Sequence, residues 1–330
     1  MKRKWLLSAA LFSALTLAAC GDKEEITATN DAEEIRIGYF PNMTHITTIV
    51  ALEKGFFAEQ LGDGVEIKTS TFPDGGSFME AMSTSNVDYG TVGPTPALNT
   101  YLKNPQHEII AGAVNGGAVL VTRADSGIES VEDLKGKKIA IPTFGSTQDI
   151  GLRKTLEKAG LTADDVQLIK QAPADTAALF LQGEIDAAAT QEPWGVNIET
   201  NAGANLLEGA DEFAWGNEST NTVVVATKKF SDGNPELTEA ALRAHVQAVD
   251  FIEQNRDEAI DLFLNHIEEI TGKALSKEEV TKAFDRVTPT AEVKEDVLQE
   301  MATISLEAKY STKDDITGLV NLEFLESAKQ

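Results

Sequence analysis

From Ile35 onward the chain alternates strand-like and helix-like stretches, and this rhythm, more than any other feature, restricts what it can fold into. Ile35-Arg36-Ile37-Gly38-Tyr39-Phe40 alternates as a strand does. From Thr47, Ile49, Val50, Leu52, Phe56 and Phe57 have helical spacing broken at Gly55, and Val65-Glu66-Ile67-Lys68-Thr69 is strand-like again. A helix over 78–84, a strand over 88–92, a helix over 96–102 and a strand over 108–112 extend the series. Strand–helix–strand order of this kind predicts α/β architecture, with parallel sheets covered by helices.

The series is interrupted at Ala118-Val119-Leu120-Val121-Thr122, and a second cycle then opens with a strand at Lys138-Ile139-Ala140-Ile141-Pro142. It continues as a helix over 147–159 closed by Gly160, a strand over 166–169, a helix over 175–182 closed by Gly183, a strand over 187–190 and a helix from Pro193. The β-branched run Thr222-Val223-Val224-Val225-Ala226-Thr227 reads as the return to the first unit. Beyond Pro235 the pattern is helical, with packing stripes such as Leu237, Ala241, Ala244 and Val297, Met301, Ile304. Two doubly wound lobes are therefore expected, 35–119 with 222–330 forming one and 120–221 the other, joined by two hinge crossings.

The segment before Ile35 reads as address and tether. Lys2-Arg3-Lys4 precedes an apolar run over 5–19 that is too short to span a bilayer comfortably, so residues 1–19 are expected to be an export signal. The run ends in Leu17-Ala18-Ala19-Cys20-Gly21, which resembles the bacterial lipobox, where the cysteine receives a diacylglyceryl group before cleavage ahead of it. An ordinary secretory site needs small residues at both −3 and −1, and Leu17 occupies −3. Two acyl chains anchor stably where one is marginal. The mature protein is thus expected to be exported and held through Cys20 at the outer face of the cytoplasmic membrane, or in the periplasm. Residues 20–34, acidic and almost free of large apolar side chains, have the composition of a flexible tether.

Cys20 is the only cysteine, which excludes disulfides and cysteine-based metal or redox chemistry and leaves the fold to its apolar core. The chain carries 28 Lys and Arg against 53 Asp and Glu, a net charge of −25, so nucleic acid is a poor partner. Such a charge also opposes an anionic ligand. Screening over about 8 Å at physiological ionic strength nevertheless lets local donors outweigh distant carboxylates.

Taken together, the ordered segments Ile37-Gly38-Tyr39, Ala51-Leu52-Glu53-Lys54-Gly55-Phe56-Phe57, Gly93-Pro94-Thr95-Pro96-Ala97, Asp133-Leu134-Lys135-Gly136-Lys137-Lys138-Ile139-Ala140, Gly145-Ser146-Thr147-Gln148-Asp149, Ala159-Gly160-Leu161, Gly183-Glu184-Ile185-Asp186-Ala187 and Glu192-Pro193-Trp194 resemble the binding proteins for aliphatic sulfonates, nitrate and taurine. The resemblance spans nearly the whole mature chain. It implies a periplasmic-binding-protein-like fold of type II and the role of solute-binding component of an ABC importer, with a permease and its ATPase as partners. The implied ligand is a small oxyanion-bearing organic molecule, an aliphatic sulfonate first. Nitrate and thiamine precursors are alternatives on the same framework. No cofactor or metal is implied.

Clefts in doubly wound lobes lie at the carboxyl ends of the strands, beside helix N-termini whose free N–H groups can hold an anion without cationic side chains. Gly145-Ser146-Thr147-Gln148-Asp149 is the foremost candidate, with Ser146, Thr147 and Gln148 as donors and Asp149 ordering the turn; Ser146 with Asp149 is equally a capping box. In Gly93-Pro94-Thr95-Pro96, Thr95 reads as an N-cap with Pro96 at the first helical position. Gly75-Gly76-Ser77, with Glu80 three residues on, repeats the capping-box pattern and brings in Gly76 and Ser77. Asn42 and Thr44 are candidates in the first turn, where His45 reads as a solvated loop residue. Trp194 could cover a ligand tail, Glu192 reads as structural, and Gly117 and Asn221 fit hinge or cleft-edge roles.

An enzyme would need a nucleophile, an acid–base pair or metal ligands. The four histidines, His45, His107, His245 and His266, lack metal-ligand spacing, and Gly145-Ser146-Thr147 is no nucleophile elbow. No catalytic residue is assigned. A third class, an acidic surface lipoprotein acting as adhesin or scaffold, would gain no stability from small molecules.

Overall fold

The computed structural model describes residues 34–330; the expected export signal, Cys20 and residues 21–33 of the tether lie outside the described residues. Eleven strands are described: β1 (Glu34–Tyr39), β2 (Glu66–Thr71), β3 (Tyr89–Val92), β4 (His107–Gly116), β5 (Ala118–Thr122), β6 (Lys138–Ile141), β7 (Gln167–Lys170), β8 (Ala187–Gln191), β9 (Asn205–Glu208), β10 (Thr220–Thr227) and β11 (Val287–Pro289). They form a six-stranded sheet of order β11-β4-β10-β3-β1-β2 and a five-stranded sheet of order β7-β6-β8-β5-β9.

The two sheets repeat one plan. In the first, β1 lies between β2 and β3 and is parallel to both. In the second, β6 lies between β7 and β8 and is parallel to both. Each parallel trio is flanked by an antiparallel strand, β10 against β3 and β5 against β8. At the β1–β3 contact Gly38 stands opposite Gly90, and a Cβ on Gly90 would lie 2.1 Å from the Gly38 carbonyl oxygen, so the close approach needs glycine there.

Helices cover the faces of the sheet centres, which is why β5, β8 and the middle of β10 are buried apolar runs, whereas β2, β7 and β9 carry polar residues and are partly exposed. Along β10, Val224 and Ala226 pack with Ile35, Ile37 and the helices Ile46–Glu53 and Pro235–Gln254, while Val223 and Val225 face Phe78, Leu98 and Met301 on the other side. In the second sheet Ile139 and Ile141 meet Leu152 and Leu156, and Val121 and Ala140 meet Phe180 and Ile198.

The chain leaves the first sheet through Gly116 and Gly117, both left-handed at φ 67° and 75°, and enters β5 at Ala118. It returns after β9, reaching β10 at Thr220. Both passages are pinned, the return one by the Gly116 N–H, which donates to the Ser219 carbonyl at 2.9 Å, and the outgoing one at Gly117. The Gly117 N–H donates to the Arg286 carbonyl at 2.7 Å, and the Glu192 N–H donates to the Gly117 carbonyl at 2.8 Å.

Several local expectations shift. The helix expected to start with Thr95 as cap runs Pro94–Lys103 and is preceded by Gly93. The helix expected over 78–84 runs Gly75–Ser83, capped by Asp74, whose Oδ1 accepts from the Ser77 N–H at 3.0 Å. The Ser77–Glu80 capping box is therefore not the one formed, because Asp74 sits one turn earlier. The strands β9 and β11 went unread: Asn205-Leu206-Leu207-Glu208 and Val287-Thr288-Pro289 are too short and polar to signal a strand by periodicity.

Candidate functional site

A cavity of about 60 Å³ lies between the carboxyl ends of the two parallel trios, where each strand order reverses. The first sheet contributes the turns after β1 (Phe40, Asn42, Thr44, His45), β2 (Asp74, Gly75) and β3 (Gly93, Pro96). The second contributes the turns after β6 (Pro142, Thr143, Ser146, Thr147, Gln148) and β7 (Pro173) and the end of β8 (Gln191). Asn221 and Thr222, at the start of β10, close the hinge side. At roughly 10–15 Å³ for each water-sized centre, the space suits a ligand of a few heavy atoms.

Three helix starts, at Gly75, Pro94 and Thr147, meet here. In the last, the Ser146 hydroxyl accepts from the Asp149 N–H at 3.2 Å, and Asp149 Oδ2 accepts from the Gly145 N–H at 2.8 Å. That leaves the N–H groups of Thr147 and Gln148, first and second in the helix, without intrahelical partners. Asp149, buried, is also held by Arg153 at 2.9 Å, so the carboxylate under the turn is tied up away from the cavity.

Unpartnered oxygens cluster on the same wall. Thr147 Oγ1, Gln191 Oε1 and Thr222 Oγ1 are buried and make no hydrogen bond within the protein. Buried polar atoms in native proteins are normally paired, so these three oxygens around the cavity are available to a ligand or bound water. Asn42 Oδ1 accepts from the Thr44 N–H at 2.9 Å and the Thr44 hydroxyl at 2.7 Å, which orients its amide NH2 without using it. Among the described residues no lysine or arginine lines the cavity. Its one carboxylate, Asp74, is engaged by the Ser77 N–H and stands 3.8 Å from Lys170 Nζ, across the mouth on the second sheet.

Of the residues expected at the site, Asn42, Thr44, Ser146, Thr147, Gln148 and Asn221 come together around this cavity. Gln148 Nε2 donates to Asn221 Oδ1 at 3.1 Å, and Asn221 Nδ2 donates to the Gly116 carbonyl at 2.8 Å, so these two link the second sheet to the hinge. Gly76, Ser77, Thr95, Gly117 and Trp194 do not line it. Gly75 takes the position expected of Gly76, which is exposed, and the Ser77 hydroxyl serves the Asp74 carbonyl at 2.8 Å. Thr95 is fully buried with its hydroxyl unpaired, and Gly117 lies behind Thr44, where a Cβ would meet Thr44 Cγ2 at 3.0 Å. Trp194 is buried under Lys273, whose Nζ lies 5.7 Å from the ring centroid.

Two outcomes were not legible in advance. His45 is not a solvated loop residue: it is buried on the cavity wall, its Nδ1 bonded to Thr91 Oγ1 at 2.8 Å, and burial pushes the imidazole down to about 3, so it is neutral. Glu192, read as structural, is fully buried and paired with Arg286 Nη1 at 2.6 Å, the same nitrogen that meets Glu199 Oε1 at 2.6 Å. Burial raises the Glu192 carboxyl above its ordinary range, and Arg286 opposes the rise. No sequence signal near Glu192 points to Arg286, which lies 94 residues away.

Further contacts bridge the two halves. The Met43 N–H donates to the Glu192 carbonyl at 3.0 Å, Lys273 Nζ to the Ala174 carbonyl at 2.8 Å, and Arg153 Nη2 to the Tyr310 hydroxyl at 3.0 Å. The halves thus touch one another around the cavity.

Two doubly wound sheets enclosing a small site at their switch points form the architecture of the periplasmic solute-binding proteins. The likeness to the crystal structure of the periplasmic aliphatic sulphonate binding protein from Escherichia coli shows this fold, with a TM-score of 0.72 over 88% of this chain and 91% of that one at 23% identity. The chain belongs to the NMT1-like family, whose model matches residues 28–264. It is 29% identical over 325 residues to a Bacillus subtilis (strain 168) protein provisionally named as aliphatic sulfonates-binding, covering 94% of this chain and 93% of the relative. It is 28% identical over 201 residues to the taurine-binding periplasmic protein of Escherichia coli (strain K12), covering 60% and 61%.

Proposed function

We propose that this chain is the solute-binding component of an ABC importer, and that it captures a small aliphatic sulfonate between its two halves for delivery to a permease and its ATPase. The observation that carries the reading is the cavity wall itself: free helix N-terminal N–H groups at Thr147 and Gln148 beside unpaired hydroxyls, with no cationic side chain among the described residues. Such a wall suits a diffuse, tetrahedral oxyanion, which accepts several neutral donors at once. The names of the relatives from Bacillus subtilis and Escherichia coli support the sulfonate choice, and the small volume favours taurine-sized alkanesulfonates over bulky ones.

In this reading 35–119 with 222–330 form one lobe and 120–221 the other, and Asn42, Thr44, Ser146, Thr147, Gln148 and Asn221 form the ligand shell. Export and anchoring through a lipid on Cys20 complete the proposal, and the apolar run ending in Leu17-Ala18-Ala19-Cys20 supports it. Taurine, ethanesulfonate and nitrate, each titrated against thermal unfolding, test the ligand. A bound ligand at about 100 times its dissociation constant adds roughly 2.7 kcal/mol of stability. Small-angle scattering should show compaction with the same ligand, and a panel in which no oxyanion raises the melting temperature or changes the profile would overturn the proposal.

A further inference from the structure

His45 is the cavity-wall side chain that the helix-terminus account does not use. Its ring is 3% exposed and packs on Phe40, with ring centroids 4.7 Å apart. Its only hydrogen bond runs from Nδ1 to Thr91 Oγ1 at 2.8 Å, and Thr91 Oγ1 in turn meets Thr48 Oγ1 at 2.9 Å. Nε2 has no partner in the protein. A neutral imidazole carries one N–H and one lone pair, and the partner of one nitrogen decides which group the other presents.

We propose that His45 is a ligand-contacting residue that donates its Nε2–H to an oxygen of the bound anion, in a tautomer that the Thr91–Thr48 hydroxyl chain accommodates by donating to Nδ1. The inference rests on the oxyanion reading of the cavity. If the Thr48 hydroxyl donates to Thr91 and the Thr91 hydroxyl donates to Nδ1, the proton resides on Nε2 and faces the ligand as a donor. If the chain runs the other way, Nε2 presents a lone pair, which repels an anion and suits a hydroxyl or ammonium ligand. Neither hydroxyl has another hydrogen-bond partner to fix the direction. Both are buried, so water does not fix it either. The ligand therefore selects the tautomer, and a neutral imidazole can serve an oxyanion as a donor without a positive charge.

Calorimetric titration of taurine and ethanesulfonate into wild type, His45→Leu, His45→Gln and Thr91→Val proteins tests this. His45→Leu should weaken binding about 10- to 100-fold, the loss of one hydrogen bond to a charged group. His45→Gln, whose amide reaches near the Nε2 position, should recover most of that loss. Thr91→Val, which removes the hydroxyl that donates to Nδ1 when the proton is on Nε2, should fall between the two. Nitrogen NMR of wild-type protein labelled at histidine gives a reading independent of any variant's folding: addition of taurine should place the His45 proton on Nε2. An unchanged affinity in a folded His45→Leu protein, or an Nδ1–H tautomer in the complex, would overturn the inference while leaving the sulfonate reading intact. If wild type binds neither probe, the inference falls together with that reading.

Discussion

A single methyl group at Gly93 should separate binding from folding. Gly93 follows β3 in the first half, and a Cβ there would lie 2.4 Å from Thr147 Oγ1 and 3.4 Å from Thr147 Cβ, on the second half. Ordinary contact is about 3.5 Å, so the oxygen is roughly 1 Å too close. Its own backbone is no obstacle, since φ −59° and ψ 140° are open to any residue. Gly93→Ala therefore leaves the first half unstrained and should stabilise the separated state by about 0.4–1 kcal/mol through the unfolded chain. The closed state must instead rotate Thr147, which is stiff at χ1, or hold the halves apart. Overpacking of this size costs about 1–3 kcal/mol, equivalent to about 5- to 150-fold in affinity. Calorimetry with taurine, thermal melts of the ligand-free protein and scattering profiles would read the three consequences. A Gly93→Ala protein with wild-type affinity and wild-type compaction would refute the contact as a determinant of closure. The pair should also be non-additive: with Thr147 already replaced by alanine, Gly93→Ala should cost little more.

Three further outcomes are expected. Thr147→Ala combined with Gln148→Ala keeps both backbone N–H groups and removes only the side-chain hydroxyl and amide; it should reduce oxyanion affinity by tenfold or more, since a donor to a charged group contributes about 1.5–3 kcal/mol, and retained affinity by calorimetry would show that these two side chains do not touch the ligand. Arg286→Met should cost about 3–5 kcal/mol in urea unfolding, because it leaves Glu192 buried and uncompensated. Burial already raises the Glu192 carboxyl, so without Arg286 the folded state favours the protonated acid; the variant's deficit should be full at high pH and shrink as pH falls through the raised value, and a pH-independent deficit would contradict this. His45, His107 and His245 are pushed down by burial to about 3, 4 and 4, so the unfolded chain takes up protons below its ordinary histidine value while the folded chain does not. Stability should therefore fall on acidification from about pH 7 to pH 5, by roughly 2 kcal/mol per histidine, and denaturation at the two pH values without that loss would show the imidazoles to be accessible.

How much of this was readable from residues alone divides along a physical line. The strands β1, β3, β6, β8 and β10 and the helix after Ser146 were legible because apolar periodicity and cap chemistry are local. The position of the candidate cavity was legible to the same extent: Ser146, Thr147 and Gln148 announce a helix start, and α/β winding puts helix starts at the cleft. His45 was misread because its burial is decided by Thr91 and Phe40, brought over it by β3 and β1, and nothing in Asn42-Met43-Thr44-His45 encodes that lid. Gly75 replaced Gly76 because Asp74, not Ser77, caps the helix, a one-turn choice that composition leaves open. Trp194 was placed by its motif near the cleft, but Lys273, from a helix hairpin far along the chain, covers its ring.

The division of the cavity wall between two sheets has one more consequence. Asn42 and His45 ride on one half and Thr147 and Gln148 on the other, so no single half holds a full set of donors. A guest's grip is consequently a property of the angle between the halves rather than of either surface. Whatever pries them apart by a few degrees discharges the cargo without breaking a covalent bond or competing for the site.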